Sequence, residues 1–218
     1  MYFTSRAQAG QLLAKKLMHL KGQNCSIIAL DDGGVVVATQ IAAVLNSPIM
    51  MLIAEPILAP GEPEAVASIN QEGGYTYNKA YTEGEIEEFD MEYHQTFEQS
   101  KLEKLSSLHR LLGRDSIIRR DLLRRRTVIL VSDGFNSEFP IDAVVDYLKS
   151  TKIKKLVIAT PLATVNVIDR MHILADEQVC LSVIGNYIAT NHYYDDNTMP
   201  SHETIIETIQ KLVQNWKS

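Results

Sequence analysis

Two short stretches of this 218-residue chain combine acids and glycines in a way that could do chemistry. Asp31, Asp32, Gly33 and Gly34 follow one apolar run; Ser132, Asp133, Gly134, Phe135, Asn136, Ser137 and Glu138 follow another. Each stretch leads into a helical pattern, so each stands where backbone N–H groups at a helix start can hold an anion. A carboxylate in that position stabilises the helix from within, by about 0.3–1 kcal/mol. Asp31, Asp32, Asp133 and Glu138 would come from loops at the carboxyl ends of adjacent strands, where they either gather around a divalent cation or stand as separate solvated caps. The caps are the preferred reading, and no metal site is assigned. His19, His94, His109, His172, His192 and His202 show no HExxH or comparable ligand spacing. Cys25 and Cys180 lie far apart without a CxxC pattern and read as buried or half-buried thiols. Five arginines, Arg119, Arg120, Arg124, Arg125 and Arg126, either clamp phosphate or form a basic turn facing an acidic helix, the second being preferred.

The elements that position these residues follow from apolar periodicity. Between Ser5 and Leu20 the apolar positions Ala9, Leu13, Leu17 and Leu20 recur at helical spacing. Runs at 26–30, 48–53, 127–131, 155–161 and 178–184 are short and continuously apolar, and helical patterns at 35–45, 141–150 and 165–174 lie between them. Such strands alternating with helices predict a parallel sheet covered on both faces. The insertion at about 55–115 differs. Its first part, 55–78, carries the Pro and Gly content of a loop or hairpin hood, and 85–112 predicts a long surface helix. The stripe Ile86, Phe89, Tyr93 and Phe97 on that helix suggests a homodimer contact. A last helix is expected to start at the N-cap Ser201 and end near Trp216.

Composition narrows the partners. Twenty-one basic residues against 27 acidic ones give a net charge of −6, which offers no general attraction for nucleic acid or an anionic membrane. No signal-like apolar core opens the chain and no apolar run approaches the roughly 20 residues that span a bilayer, so a cytoplasmic protein of one domain over 1–218 is expected.

The order of these segments resembles that of predicted bacterial phosphoribosyltransferases of type I. FTSRAQAGQLLAKKL is similar to that family's opening helix, and IIALDDGGVVVATQIAAVLNSPI to its first strand, pyrophosphate loop, helix and second strand. APGEPEAVASINQEGG resembles the hood, RRTVILVSDGFNSEFPIDAVVDYL the central strand and phosphoribosyl pyrophosphate loop, and VIGNYIATNHYYDD the tail. The resemblance implies a Rossmann-like parallel sheet of about five strands with a small hood. It also implies transfer of phosphoribose from magnesium-bound phosphoribosyl pyrophosphate to a nitrogen nucleophile. Mg²⁺ is expected only with that substrate, and no other cofactor is.

The resemblance also marks departures. The family's two ribose-binding acids become Ser132 and Asp133, and Glu138 with Phe139 stands where small phosphate-holding residues belong. In the pyrophosphate loop Asp31 and Asp32 replace a Pro-Arg pair. Like charges near 4 Å repel by about 4 kcal/mol at an effective dielectric of 20, and each 1.4 kcal/mol is tenfold in affinity. Two readings follow. Either the protein is catalytically impaired and binds a small phosphorylated or nucleoside-like ligand or a partner, with Asp32 and Glu138 filling the anion seats. Or it remains a phosphoribosyltransferase, or a ribosyl-compound hydrolase, using Asp133 on the ribose hydroxyls.

Overall fold

The computed structural model describes residues 2–112 and 118–214; the end expected near Trp216 lies outside them. Five parallel strands form the main sheet in the order β2-β1-β6-β7-β8. They are β1 (Cys25–Ala29), β2 (Ile49–Met51), β6 (Thr127–Val131), β7 (Lys155–Thr164) and β8 (Glu177–Ile184). The central strands β1 and β6 are buried at every residue, which explains why they read as unbroken apolar runs. Helices α1 (Arg6–Lys16), α2 (Asp32–Leu45) and α6 (His202–Gln214) cover one face, with Leu13, Val37, Ile41 and Ile205 in its core. Helices α4 (Phe139–Leu148) and α5 (Val165–Leu174) cover the other through Ile141, Val144, Val167 and Met171.

Local chemistry sets the helix starts. Ser5 caps α1 by accepting from the Gln8 N–H, Asp31 caps α2 and Thr164 caps α5. Helix α2 ends at Asn46 in the left-handed region at φ 52°, a conformation asparagine tolerates. β7 runs three residues past the stretch predicted for it, because Phe135 pairs with Ala163 and holds the strand extended.

The hood is a separate antiparallel sheet of β3 (Ala54–Leu58), β4 (Ala65–Asn70) and β5 (Tyr75–Tyr77). Helix α3 (Glu83–Leu112) lies on it, bent at Tyr93, whose φ of −113° and ψ of 18° leave the helical region. The aromatic stripe of that helix faces the hood. Phe97 is buried with Ile57, Val66 and Ile69, and Phe89 and Tyr93 pack against the same cluster. Arg120 fastens the hood to the core, donating to Glu72 at 2.7 Å while its guanidinium sits 4.5 Å over the Tyr147 ring. The basic turn therefore meets the hood through Glu72 rather than the acidic helix.

Candidate functional site

Adjacent strands β1 and β6 deliver the two predicted loops to the same carboxyl edge of the sheet, and there the loops touch. Asp31 accepts the Gly34 N–H at 2.5 Å and the Ser132 hydroxyl at 3.0 Å. Gly33 lies so close to the second loop that a Cβ there would stand 2.1 Å from Asp133 Oδ2, so only glycine fits. Gly34 is held almost as tightly, since a Cβ would reach 3.0 Å from the Val131 carbonyl. Gly134 faces the tail, where a Cβ would meet the Tyr187 hydroxyl at 2.4 Å.

Asp133 is the centre of this contact. Arg6, at the start of α1, donates from Nε to Asp133 Oδ2 at 2.6 Å, and both residues are buried. The same guanidinium donates to Asn197 at 3.0 Å and Asn191 at 2.5 Å, and lies 4.6 Å over the Tyr194 ring. Tyr194 completes the enclosure by donating its hydroxyl to the Asp133 carbonyl at 2.6 Å. The tail loop thus lies over Asp133. Burial, with the Asp133 charge adding to it, pushes the Asp31 carboxyl up to about 6, against the hydrogen bonds from Gly34 and Ser132. Burial raises Asp133 as well, opposed by Arg6. Both carboxyls are thus harder to ionise than free ones, and a single arginine faces the pair.

Sequence reasoning placed Asp32 and Glu138 in the anion seats, and the structure corrects both. Asp31, not Asp32, is the N-cap of α2. Asp32 is already in the helix and turns outward to His202 at 2.9 Å. Glu138 holds the N-cap position of α4 with helical backbone (φ −78°, ψ −27°), and its side chain makes no capping bond. Its carbonyl instead accepts the Ile141 and Asp142 N–H groups, and Pro140 has no N–H to offer. Phe135, grouped with the phosphate loop, sends its side chain into the core below α4.

The rest of that loop faces elsewhere. Asn136, Ser137 and Glu138 line a cavity of about 840 Å³ between the hood and the N-terminal ends of α4 and α5, and Asp31 and Asp133 are not in its lining. Lys79 from the hood and Arg170 from α5 enter it, and both bind the same oxygen of buried Asp142, Lys79 at 3.0 Å. The four acids are split between three places, Asp31 with Asp133, Asp32 at His202 and Glu138 at the cavity. Among the described residues no group of three His, Cys, Asp or Glu side chains is arranged to hold a metal ion. The magnesium that the family's chemistry needs does not fit these residues, because Asp133 is committed to Arg6 and Asp32 to His202.

Arg6, Asn191, Asn197, Lys79, Asp142 and Arg170 escaped the sequence reading. Arg6 left a trace: it stands three and seven residues before Ala9 and Leu13 on the buried face of α1, where a charge demands a partner. Nothing local announced the two asparagines.

The chain has the parallel five-stranded sheet, flanked by helices, of the type I phosphoribosyltransferase fold, with both predicted loops at the carboxyl edge of that sheet. Two curated Mycobacterium tuberculosis proteins, from strains CDC 1551 / Oshkosh and ATCC 25618 / H37Rv and each named "Putative phosphoribosyl transferase", are 26% identical over 216 residues. The match covers 98% of this chain, which spans about half (48%) of their length. The crystal structure of TT1426 from Thermus thermophilus superposes with a TM-score of 0.68 at 26% identity, covering 97% of this chain and 99% of that one. A looser likeness, TM-score 0.49 and 13% identity over 92% of this chain and 95% of the other, is to a purine phosphoribosyltransferase from Pyrococcus horikoshii Ot3. No family model matches the chain.

Proposed function

We propose that this phosphoribosyltransferase-like protein is impaired in transfer from phosphoribosyl pyrophosphate and acts by binding an uncharged, nucleoside-like ligand beneath the hood. The carrying observation is the state of Asp133. The acid that would hold ribose hydroxyls is buried, bound to Arg6, set beside Asp31 and covered by the tail. A pyrophosphate brought to this edge would meet the Asp31 and Asp133 carboxyls, and Arg6 beside them is already bound to Asp133.

The cavity lining favours the ligand class. Its two cations are both bound by Asp142, and Glu64 and Glu138 add further acids to the lining. Asn136, Ser137 and Asn166 offer neutral donors and acceptors, and Pro56, Phe139 and Pro140 offer apolar surface for a ring. Thermal unfolding with ribonucleosides, their 5′-monophosphates and inorganic phosphate tests this. A ligand at 100 times its Kd stabilises by about 2.7 kcal/mol, and the nucleosides are expected to raise Tm more than their phosphates do. Greater stabilisation by the phosphates would reverse the ligand assignment. Release of pyrophosphate from phosphoribosyl pyrophosphate would favour the active alternative, in which Asp133 reaches ribose once Arg6 and the tail let go.

A further inference from the structure

Asp142 is the buried charge of the cavity beneath the hood. It stands in the first turn of α4 between Ile141 and Ala143, is 3% exposed, and gives one carboxyl oxygen to two cations from different walls. Lys79, two residues past β5, donates to that oxygen at 3.0 Å; Arg170 of α5 donates to it from Nε at 3.1 Å and again from Nη2. The acids nearby hold neither cation. Asp146 lies 3.8 Å from Lys79 and outside the lining, and Glu138 acts on Arg170 through charge rather than a hydrogen bond. Two cations from separate elements that converge on one point form a seat for an anionic oxygen, and such charge-assisted contacts are the strong ones. Here the seat is filled from within. Neither cation belongs to the two acid-and-glycine loops, 31–34 and 132–138, so this seat is distinct from the contact around Asp133.

We propose that Asp142 is the specificity-determining residue of this cavity: its carboxylate occupies the anion seat of Lys79 and Arg170 and so turns away ligands that carry a phosphate. The inference rests on the reading of the cavity as a site for an uncharged, nucleoside-like ligand, and it names the group that enforces that choice. A phosphate entering here has to displace Asp142 from both cations. The displaced carboxylate is tethered to α4, so it stays in the site as a like charge. Over the whole lining three acids, Glu64, Glu138 and Asp142, face two cations, and an added anion meets no surplus of positive charge. Replacing the Asp142 carboxylate by an amide leaves two acids against two cations. Lys79 and Arg170 would then be open to an anion in a cavity bounded by the N-terminal ends of α4 and α5, where negative charge is favoured.

Asp142→Asn is expected to bind inorganic phosphate at least about tenfold more tightly than the parent does, as read by calorimetric titration at constant ionic strength. Phosphate should also raise the Tm of the variant, because it restores the anion that the two cations have lost, and leave the Tm of the parent unchanged. If the variant is too unstable to titrate, the same rescue is read as a higher refolding yield in phosphate than in chloride. Adding Lys79→Gln should cancel the gain. An Asp142→Asn chain that is merely less stable, with neither tighter phosphate binding nor rescue, overturns the proposal. So does a gain that survives Lys79→Gln, since the phosphate then sits elsewhere. The ligand reading is tested separately on the parent. Nucleoside binding by the parent without a phosphate gain in the variant strikes the role of Asp142 alone, whereas a phosphate gain without nucleoside binding strikes the ligand reading alone.

Discussion

Arg6→Met is expected to destabilise the protein by about 3–5 kcal/mol, the cost of leaving a buried carboxylate without its counter-charge. Asp133 would keep its burial and its neighbour Asp31 while losing the 2.6 Å contact that offsets both. Asn191 and Asn197 would lose their donors in the same step, so the tail should loosen with the core. Urea midpoints of Arg6→Met, Asp133→Asn and the double variant separate these effects. The double variant should recover part of the loss, since it leaves no uncompensated charge at position 133, while Asn191 and Asn197 still lack the Arg6 donors. A loss below about 1 kcal/mol, the range of surface pairs, would show that the Arg6–Asp133 contact is not what holds the loops together.

Asp31→Asn is expected to act in the opposite direction and to depend on pH. Asparagine caps a helix as well as aspartate does, so the Gly34 bond survives. The parent carboxyl has its pKa raised from 3.8 to about 6, chiefly by burial. Below pH 4 it is protonated in both folded and unfolded chains and contributes nothing to the difference. Between pH 4 and 6 the folded state binds the extra proton, so stability falls as pH rises, and above 6 the full penalty of about 3 kcal/mol applies. Asp31→Asn should therefore equal the parent near pH 4 and exceed it by up to that amount at pH 8, as read from denaturant midpoints. An equal or lower stability at pH 8 would mean that burial does not penalise the Asp31 carboxylate.

Much of the scaffold was legible because its signals are local. Apolar runs gave the five parallel strands, Thr164 and Ser5 stand at the helix starts they cap, and the predicted 165–174 helix matches α5 residue for residue. The placement of the two loops at one edge of the sheet was legible too, from strand adjacency, while their direct contact was not. The partners inside the site were not. Arg6 meets Asp133 across 127 positions and Asn191 across 185, and sequence spacing carries no trace of such contacts. The capping error had a simpler cause. In a pair of consecutive aspartates, one residue's difference in the helix start decides which carboxylate faces the N–H groups, and a boundary read from pattern alone does not resolve that. An amphipathic face such as the aromatic stripe on α3 demands cover without saying whether the cover is a second chain or the hood of the same one, and here Phe89, Tyr93 and Phe97 pack on the hood.

On the proposed function, the protein's own carboxylates hold the places where phosphoribosyl pyrophosphate would bind. Calorimetric titration of the parent with that compound and excess magnesium at neutral pH tests it most directly. The account predicts no binding, or a Kd no tighter than about 1 mM, the level of roughly 4 kcal/mol. Saturable micromolar binding would contradict it, because Asp31 and Asp133 would then have to leave their present partners and share the edge of the sheet with the substrate's charge.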